Sequence, residues 1–249
     1  MWIVYNIPMG DSQHSEFRVA VVTGGNRGIG REIAKQLAAR GLIVVLTSRD
    51  GDRARAAAAE LSQPGRQVDG LQLDVSDRDQ VADAFHTINE RHGARIDVLV
   101  NNAGIAIDGV SDTAWRASLE VLDETIRTNL VGAWNCCEAA IPAMLANKYG
   151  RIVNIGSTMG SIGLTESGTS PAYRVSKAGL NMLTRVLAAD LRGTGILVNS
   201  ASPGYTKTDM SPNATRTVHQ AADTPIWLAT LPADGPTGGF YLDRKPLPW

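Results

Sequence analysis

From Phe17 onward the chain alternates short apolar, β-branched runs with longer amphipathic stretches. Arg18–Thr23 and Leu42–Thr47 read as buried strands. Between them, Gly30–Arg40 reads as a helix ended by Gly41, and an Ala-rich helix follows over Asp52–Leu61. Gln67–Leu73 and Ile96–Asn101 are further strands, separated by a helix over Asp77–His92. A long helical region covers Ser118–Ala146, then come a strand at Arg151–Ile155, a helix at Pro171–Leu191 and a strand at Ile196–Ser200. A helix over Val218–Ala229 and a short strand over Gly238–Leu242 close the pattern. Strands separated by helices of this length pair in parallel through crossovers, which puts helices on both faces of one sheet. The pattern predicts one doubly wound α/β domain of about seven strands over residues 17–249. No linker, internal repeat or low-complexity block divides it.

Composition removes several functions. With 24 basic and 25 acidic residues in 249, the net charge of -1 gives no electrostatic footprint for nucleic acid or an anionic membrane. No apolar run reaches the roughly 18 residues a membrane helix needs. Met1–Pro8 is apolar but lacks a basic flank and is too short for a signal peptide. Residues 1–16 are therefore expected to be a flexible extension, with Met9 a second candidate start. Cys136 and Cys137 are adjacent within an apolar helical pattern, as packed thiols of a reducing cytoplasm would be. His14, His86, His92 and His219 have no ligand spacing, so no metal is expected.

Thr23-Gly24-Gly25-Asn26-Arg27-Gly28-Ile29-Gly30 follows the first strand directly and opens into a helix. Glycines allow the backbone to turn tightly and approach a pyrophosphate, while the helix N-terminus supplies free N–H groups and a favourable dipole. Three residues, not one, separate Gly24 from Gly28, unlike the commonest dinucleotide fingerprint. The second strand ends Thr47-Ser48-Arg49, with arginine next to the position where an acidic residue would select NAD. Arg27 and Arg49 together suit a 2′-phosphate, and Asp50 is placed to cap the next helix. The expected cofactor is NADP(H).

Tyr173 and Lys177 are four residues apart on a predicted helix, hence on one face and one turn apart. An ammonium beside a phenol favours the phenolate and lowers the tyrosine pKa, which suits proton exchange with a substrate oxygen.

The glycine loop, Asn101-Asn102-Ala103-Gly104, Ser157, Tyr173-x-x-x-Lys177 and Pro203-Gly204 occur in this order. In this the chain resembles the short-chain dehydrogenase/reductase family over roughly Arg18–Leu242. The loop combined with Thr47–Asp50 looks like the NADPH-dependent carbonyl reductase branch, as do Ser202–Met210, Ala222–Ile226 and Leu231–Phe240. The resemblance implies a Rossmann-type fold and a role for each matching residue. Tyr173 would be the acid/base, Lys177 its pKa-lowering neighbour and ribose ligand, and Ser157 the clamp on the substrate oxygen. Asn129 would hold a water in a proton relay. Gly24, Asn26, Arg27, Gly28, Ile29, Gly30 and Arg49 would hold the phosphates. Asp74 and Val75 would meet the adenine, Asn101, Ala103 and Gly104 the adenosine ribose, and Ile155, Pro203, Gly204 and Thr206 the nicotinamide.

The reaction so implied is reduction of a ketone or aldehyde. An alcohol, steroid or sugar dehydrogenase working oxidatively, and an NADP(H)-sensing regulator, are the other readings. Thr158–Pro171 is a few residues longer than the commonest family spacing, yet lacks the large insertion of some monomeric animal carbonyl reductases. Ser161 is a spare hydroxyl there. The candidate pocket loops, Ile105–Asp108, Met159–Ser170 and Tyr205–Met210, carry few charges, so a largely apolar small substrate is expected. A dimer or tetramer through the helices near Val121–Ala146 and Pro171–Leu191 is compatible with the sequence, as is a monomer.

Overall fold

The β-branched runs pair as one sheet in the computed structural model, which describes residues 17–109 and 113–249. Its strands are β1 (Val19–Val22), β2 (Ile43–Ser48), β3 (Val68–Gln72), β4 (Val98–Asn101), β5 (Gly150–Ile155), β6 (Ile196–Ala201), β7 (Phe240–Leu242) and β8 (Lys245–Pro246). They lie side by side in the order β3-β2-β1-β4-β5-β6-β7-β8. All neighbours are parallel except β7 and β8. The sheet thus has eight strands. The sequence pattern misses the last, which is two residues long and contains a proline.

Successive residues of a strand point to opposite faces, so each strand feeds two cores. Ala20, Val22, Leu46, Val100 and Val153 pack with Ile33, Ala34 and Leu37 of α1 (Gly28–Ala38), with the Ala54–Leu61 side of α2 (Gly51–Leu61), and with Ala222 and Ile226. Val21, Val45, Leu99, Ile152 and Val198 pack on the other face against Val81, Phe85 and Ile88 of α3 (Arg78–Arg91) and against Cys136 to Met144. Burying a side chain such as Phe85 or Ile33 contributes about 2–3 kcal/mol. Residues 1–16, expected to be flexible, lie outside the described residues.

The predicted helical region over Ser118–Ala146 is three pieces: α4 (Leu119–Ile126), a π-helical turn over Arg127–Val131, and α5 (Gly132–Ala146). α6 (Pro171–Asp190) and α7 (Val218–Ala229) complete the helices. No helix among the described residues is long and apolar enough to cross a membrane.

β1 lies between β2 and β4, so the strand order reverses there. At such a switch point the connections leave in opposite directions, and a crevice opens beyond the carboxyl ends of the strands. The candidate site segments from the sequence lie along that edge or on α6 beside it, except Asn129, which lies in the π-helical turn.

Candidate active site

The glycine loop is built by β4 as much as by β1. Thr23 Oγ1 accepts the Asn102 and Ala103 N–H groups, each at 3.0 Å, and Asn102 Nδ2 donates to the carbonyls of Thr23 (2.9 Å) and Gly24 (3.0 Å). A Cβ on Gly30 would fall 2.3 Å from that amide nitrogen, so only glycine admits the prop. Gly24, at φ +62, turns the chain in the left-handed region. Asn26 is half-buried in the loop, Gly28 sits at φ +57, and Ile29 packs on the α1 core.

α1 also begins differently from its neighbours. Asp50, Asp77, Ser118 and Thr217 each place a side-chain oxygen on the first turn of α2, α3, α4 and α7. The N-cap of α1 is Arg27, which provides none. Its first-turn N–H groups are left to bind an anion, with the helix dipole in their favour. The exposed Arg27 guanidinium forms a 2.5 Å ion pair with Asp209, from the loop after β6. Arg49 is exposed at the end of β2, and Asp50 accepts the Arg53 N–H at 3.1 Å as the expected cap of α2.

Asp74 and Val75 follow β3 at the same edge. Asp74 Oδ1 accepts Ser76 N–H (2.9 Å) and Ser76 Oγ–H (2.7 Å), and Val75 is buried. Asn101 faces inward instead: its amide donates to Asn154 Oδ1 (2.9 Å) and Cys137 Sγ (3.3 Å), leaving only its main chain at the edge. Ala103 packs on the second core. Beyond β6, Pro203 and Gly204 make a turn closed by Thr206 Oγ1, which bonds their carbonyls at 2.9 and 3.1 Å.

Ser157 and Ile155 end β5 and its extension, and α6 carries Tyr173 and Lys177 across from them. The buried Lys177 Nζ donates to the Ile155 carbonyl at 2.8 Å. A Cβ on Gly104 would lie 3.4 Å from that Nζ and 3.1 Å from Asn129 Oδ1, so these three residues converge. Asn129, in the π turn, binds both main-chain groups of Ile105 at 2.8 Å and donates to Ser176 Oγ at 3.0 Å. Both its amide hydrogens are used, which makes the side chain a brace between the β4 loop and α6. Ser161 is committed elsewhere: buried, it donates to the Pro248 carbonyl (2.8 Å) and accepts Leu164 N–H (3.1 Å). Ser157 is the serine left beside the phenol.

The electrostatics differ from the expectation drawn from spacing. Burial pushes the Tyr173 phenol above its ordinary value and Asp108 adds to this, while a hydrogen bond with Ser157 pulls it back. Lys177 Nζ is turned to the Ile155 carbonyl and stands 5.6 Å from the ring centroid. Burial brings Lys177 itself down to about 8. The arrangement is thus a protonated phenol and a hydroxyl on one side of a cleft, beside a buried amine able to gain or lose a proton near neutrality.

Three contributors had no role assigned from the sequence: Thr23, which opens the glycine motif, Asn102 and Asp108. Asn102 stood inside a quoted motif, and its type at that place was the available signal. Asp108, whose Oδ2 accepts the Tyr173 backbone N–H at 3.1 Å, stood in a candidate pocket loop, but nothing in the sequence signalled this contact.

The short chain dehydrogenase family model matches residues 18–219. The chain belongs to the short chain dehydrogenase family. It is an oxidoreductase of CH–OH and C=O groups, from a family that uses nicotinamide cofactors. Carbonyl reductase (NADPH) 1 of Homo sapiens is 34% identical over 281 residues, covering 94% of this chain and 99% of the relative. The Mus musculus protein of that name is 33% identical over 277 residues, covering 93% and 98%. That alignment is longer than the 249 residues of this dehydrogenase, so the relative has insertions absent here. The (+)-neomenthol dehydrogenase of Capsicum annuum is 33% identical over 305 residues, covering 92% and 96%. Among solved structures, a mutant short-chain dehydrogenase/reductase of Serratia marcescens superposes with a TM-score of 0.81 at 30% identity, covering 90% of this dehydrogenase and 95% of that chain.

Proposed function

We propose that this dehydrogenase reduces a ketone or aldehyde to an alcohol with NADPH, Tyr173 giving the proton. The carrying observation is the Tyr173 phenol hydrogen-bonded to Ser157, with the buried Lys177 amine one helical turn on and 5.6 Å from the ring centroid. When bound, NADPH supplies the hydride. Ser157 and Tyr173 hydrogen-bond the carbonyl oxygen, polarise it and orient the carbonyl carbon. The phenol's raised pKa keeps its proton in place until charge develops on that oxygen. Lys177 Nζ, near 8, can restore the proton to the phenolate. Asn129 holds the Ile105 loop against α6, so Gly104 stays beside Lys177.

The residues fit such a cofactor. The α1 N-terminus offers uncapped N–H groups, Gly24 and Gly30 admit the Asn102–Ala103 segment that props the loop, and Arg27 and Arg49 supply guanidinium groups for a 2′-phosphate. The printed names of the carbonyl reductase relatives point the same way. The oxidative direction is the second reading, supported by the neomenthol dehydrogenase relative. Exposed Ile107, Ile162, Leu164, Tyr205 and Met210 on the three loops near the cleft favour an apolar substrate. Val131, Trp134, Met182 and Val186 leave apolar surface on the α5 and α6 side, which suits a second copy and would appear as a dimer or larger by light scattering. The buried free thiols of Cys136 and Cys137 suit a cytoplasmic location, and one sheet running from β1 to β8 suits a single domain over residues 17–249.

The test compares NADPH and NADH oxidation across ketones, aldehydes and quinones, in the native protein and in Tyr173→Phe. NADPH-selective turnover that falls about 10²–10⁴-fold in the variant, with NADPH binding kept, supports the reading. Near-native turnover by Tyr173→Phe overturns it.

A further inference from the structure

Tyr173 is gripped at both of its main-chain groups by side chains. Its N–H donates to Asp108 Oδ2 at 3.1 Å, and its carbonyl accepts Ser176 Oγ–H at 2.8 Å. Ser176 is in turn held by Asn129 at 3.0 Å, and Asn129 holds Ile105, three residues before Asp108. The Asp108 bond completes a loop of contacts from the β4 end to α6 and back.

The bond also supplies what the local sequence of α6 lacks. Ser170, the N-cap, sits at φ +52 and makes no side-chain cap, and Pro171 has no N–H to cap. A carboxylate from 65 residues upstream fills the role. Its other oxygen, Oδ1, is buried and has no hydrogen-bond partner among the described residues. A carboxylate in this place caps the helix and also sets a negative charge against the residue that it holds.

We infer that Asp108 is a positioning residue that fixes Tyr173 opposite Ser157 and, by its charge, holds the proton on the phenol. The inference rests on the catalytic reading of Tyr173. On its own helix, Lys177 Nζ is 5.6 Å from the ring centroid, and the Arg174 guanidinium is turned to the Thr169 and Met159 carbonyls. Among the described residues, the end of β5 contributes the neutral Ser157 and the β4 loop contributes Asp108. A like charge beside a phenol opposes the phenolate, in agreement with the upward push that Asp108 exerts.

Asp108→Asn keeps an oxygen for the Tyr173 N–H and removes the charge. Asp108→Ser is a second neutral cap. The probe reaction is oxidation of neomenthol with NADP⁺, in which Tyr173 accepts the proton. Both variants move the acid limb of the kcat/KM–pH profile down by about one unit, the lower end of the effect of a nearby like charge. A purely structural cap would lower the plateau and leave the limb in place. The shift is read without turnover as the midpoint of near-ultraviolet tyrosinate absorbance, native minus Tyr173→Phe, repeated in each Asp108 background. Midpoints and limbs that coincide with the native protein overturn the inference. Native-like turnover by Tyr173→Phe would instead overturn the catalytic reading, and the absorbance midpoint would still judge Asp108.

Discussion

Lys177 on α6 and Ile155 at the end of β5 are joined by a 2.8 Å hydrogen bond from Nζ to the carbonyl oxygen. The bond keeps a long, flexible side chain extended along the cleft floor, almost fully removed from water. It also places the cost of a buried ammonium at the centre of the site.

That cost has a pH signature. The Lys177 pKa, about 8 when folded, lies below its ordinary 10.5. At neutral pH the folded chain bears a penalty of about 3 kcal/mol, at 1.36 kcal/mol per unit. From about 8 to 10.5 the folded form has released the proton while the unfolded form retains it, so stability rises with pH across that window. Lys177→Met should lose turnover and yet be more stable than the native protein by about 1–3 kcal/mol at about pH 7. Urea melts of both proteins at about pH 7 and about pH 10 should show this advantage shrinking at the higher value. A constant gap would contradict it.

Asn102→Ala removes both hydrogen bonds that brace the glycine loop at Thr23 and Gly24. Each such bond contributes about 1 kcal/mol. NADPH affinity should fall about tenfold, while kcat at saturating cofactor stays near the native value. Fluorescence titration with NADPH reads the first effect, and initial rates read the second.

Asp209 and a 2′-phosphate would compete for the Arg27 guanidinium. The pair is exposed, with Arg27 68% and Asp209 76% accessible, and pairs of that kind are worth about 0.2–1 kcal/mol. Asp209→Ala should therefore tighten NADPH binding by no more than about fivefold and leave NADH unchanged. Arg49→Asp should weaken NADPH at least tenfold, about 1.4 kcal/mol. Dissociation constants for both cofactors at two salt concentrations decide, and equal effects on NADH would remove these residues from phosphate recognition.

Ser161→Ala leaves the Pro248 carbonyl and the Leu164 N–H without their partner. The chain end is otherwise held by the Gly163 N–H to the Trp249 carbonyl (2.7 Å) and by Trp249 stacked on Phe240. The variant should lose about 1–3 kcal/mol and raise the substrate KM through the loosened Thr158–Pro171 segment, with cofactor affinity unchanged. Thermal melts and steady-state kinetics separate the two effects.

The elements legible in the sequence were those written in local pattern. Strand runs such as Leu42–Thr47 are buried on both faces and read as continuous β-branched segments, and Asp50 occupies the cap its position suggested. The glycine loop stood out by its place after a strand and the Tyr173–Lys177 pair by its offset, while Ser157 was singled out by the family resemblance. The π turn at Asn129 was hidden because one extra residue in a turn leaves hydrophobic spacing almost unchanged. The orientation of Asn101 and the Asp108 cap depend on partners 53 and 65 positions away, and no local window contains such information. The upward direction of the Tyr173 pKa was hidden for a related reason: its first cause is burial, which depends on how distant segments close over the side chain and not on the spacing to Lys177.

The eighth strand has its own consequence. β8 covers the outer side of β7 with Tyr241 paired to Pro246 and Leu242 to Lys245, both outer residues exposed. Proline has no N–H to offer a further strand, and a solvated lysine beside it resists being covered. On this side the sheet therefore finishes in a seam that offers a further strand little to pair with.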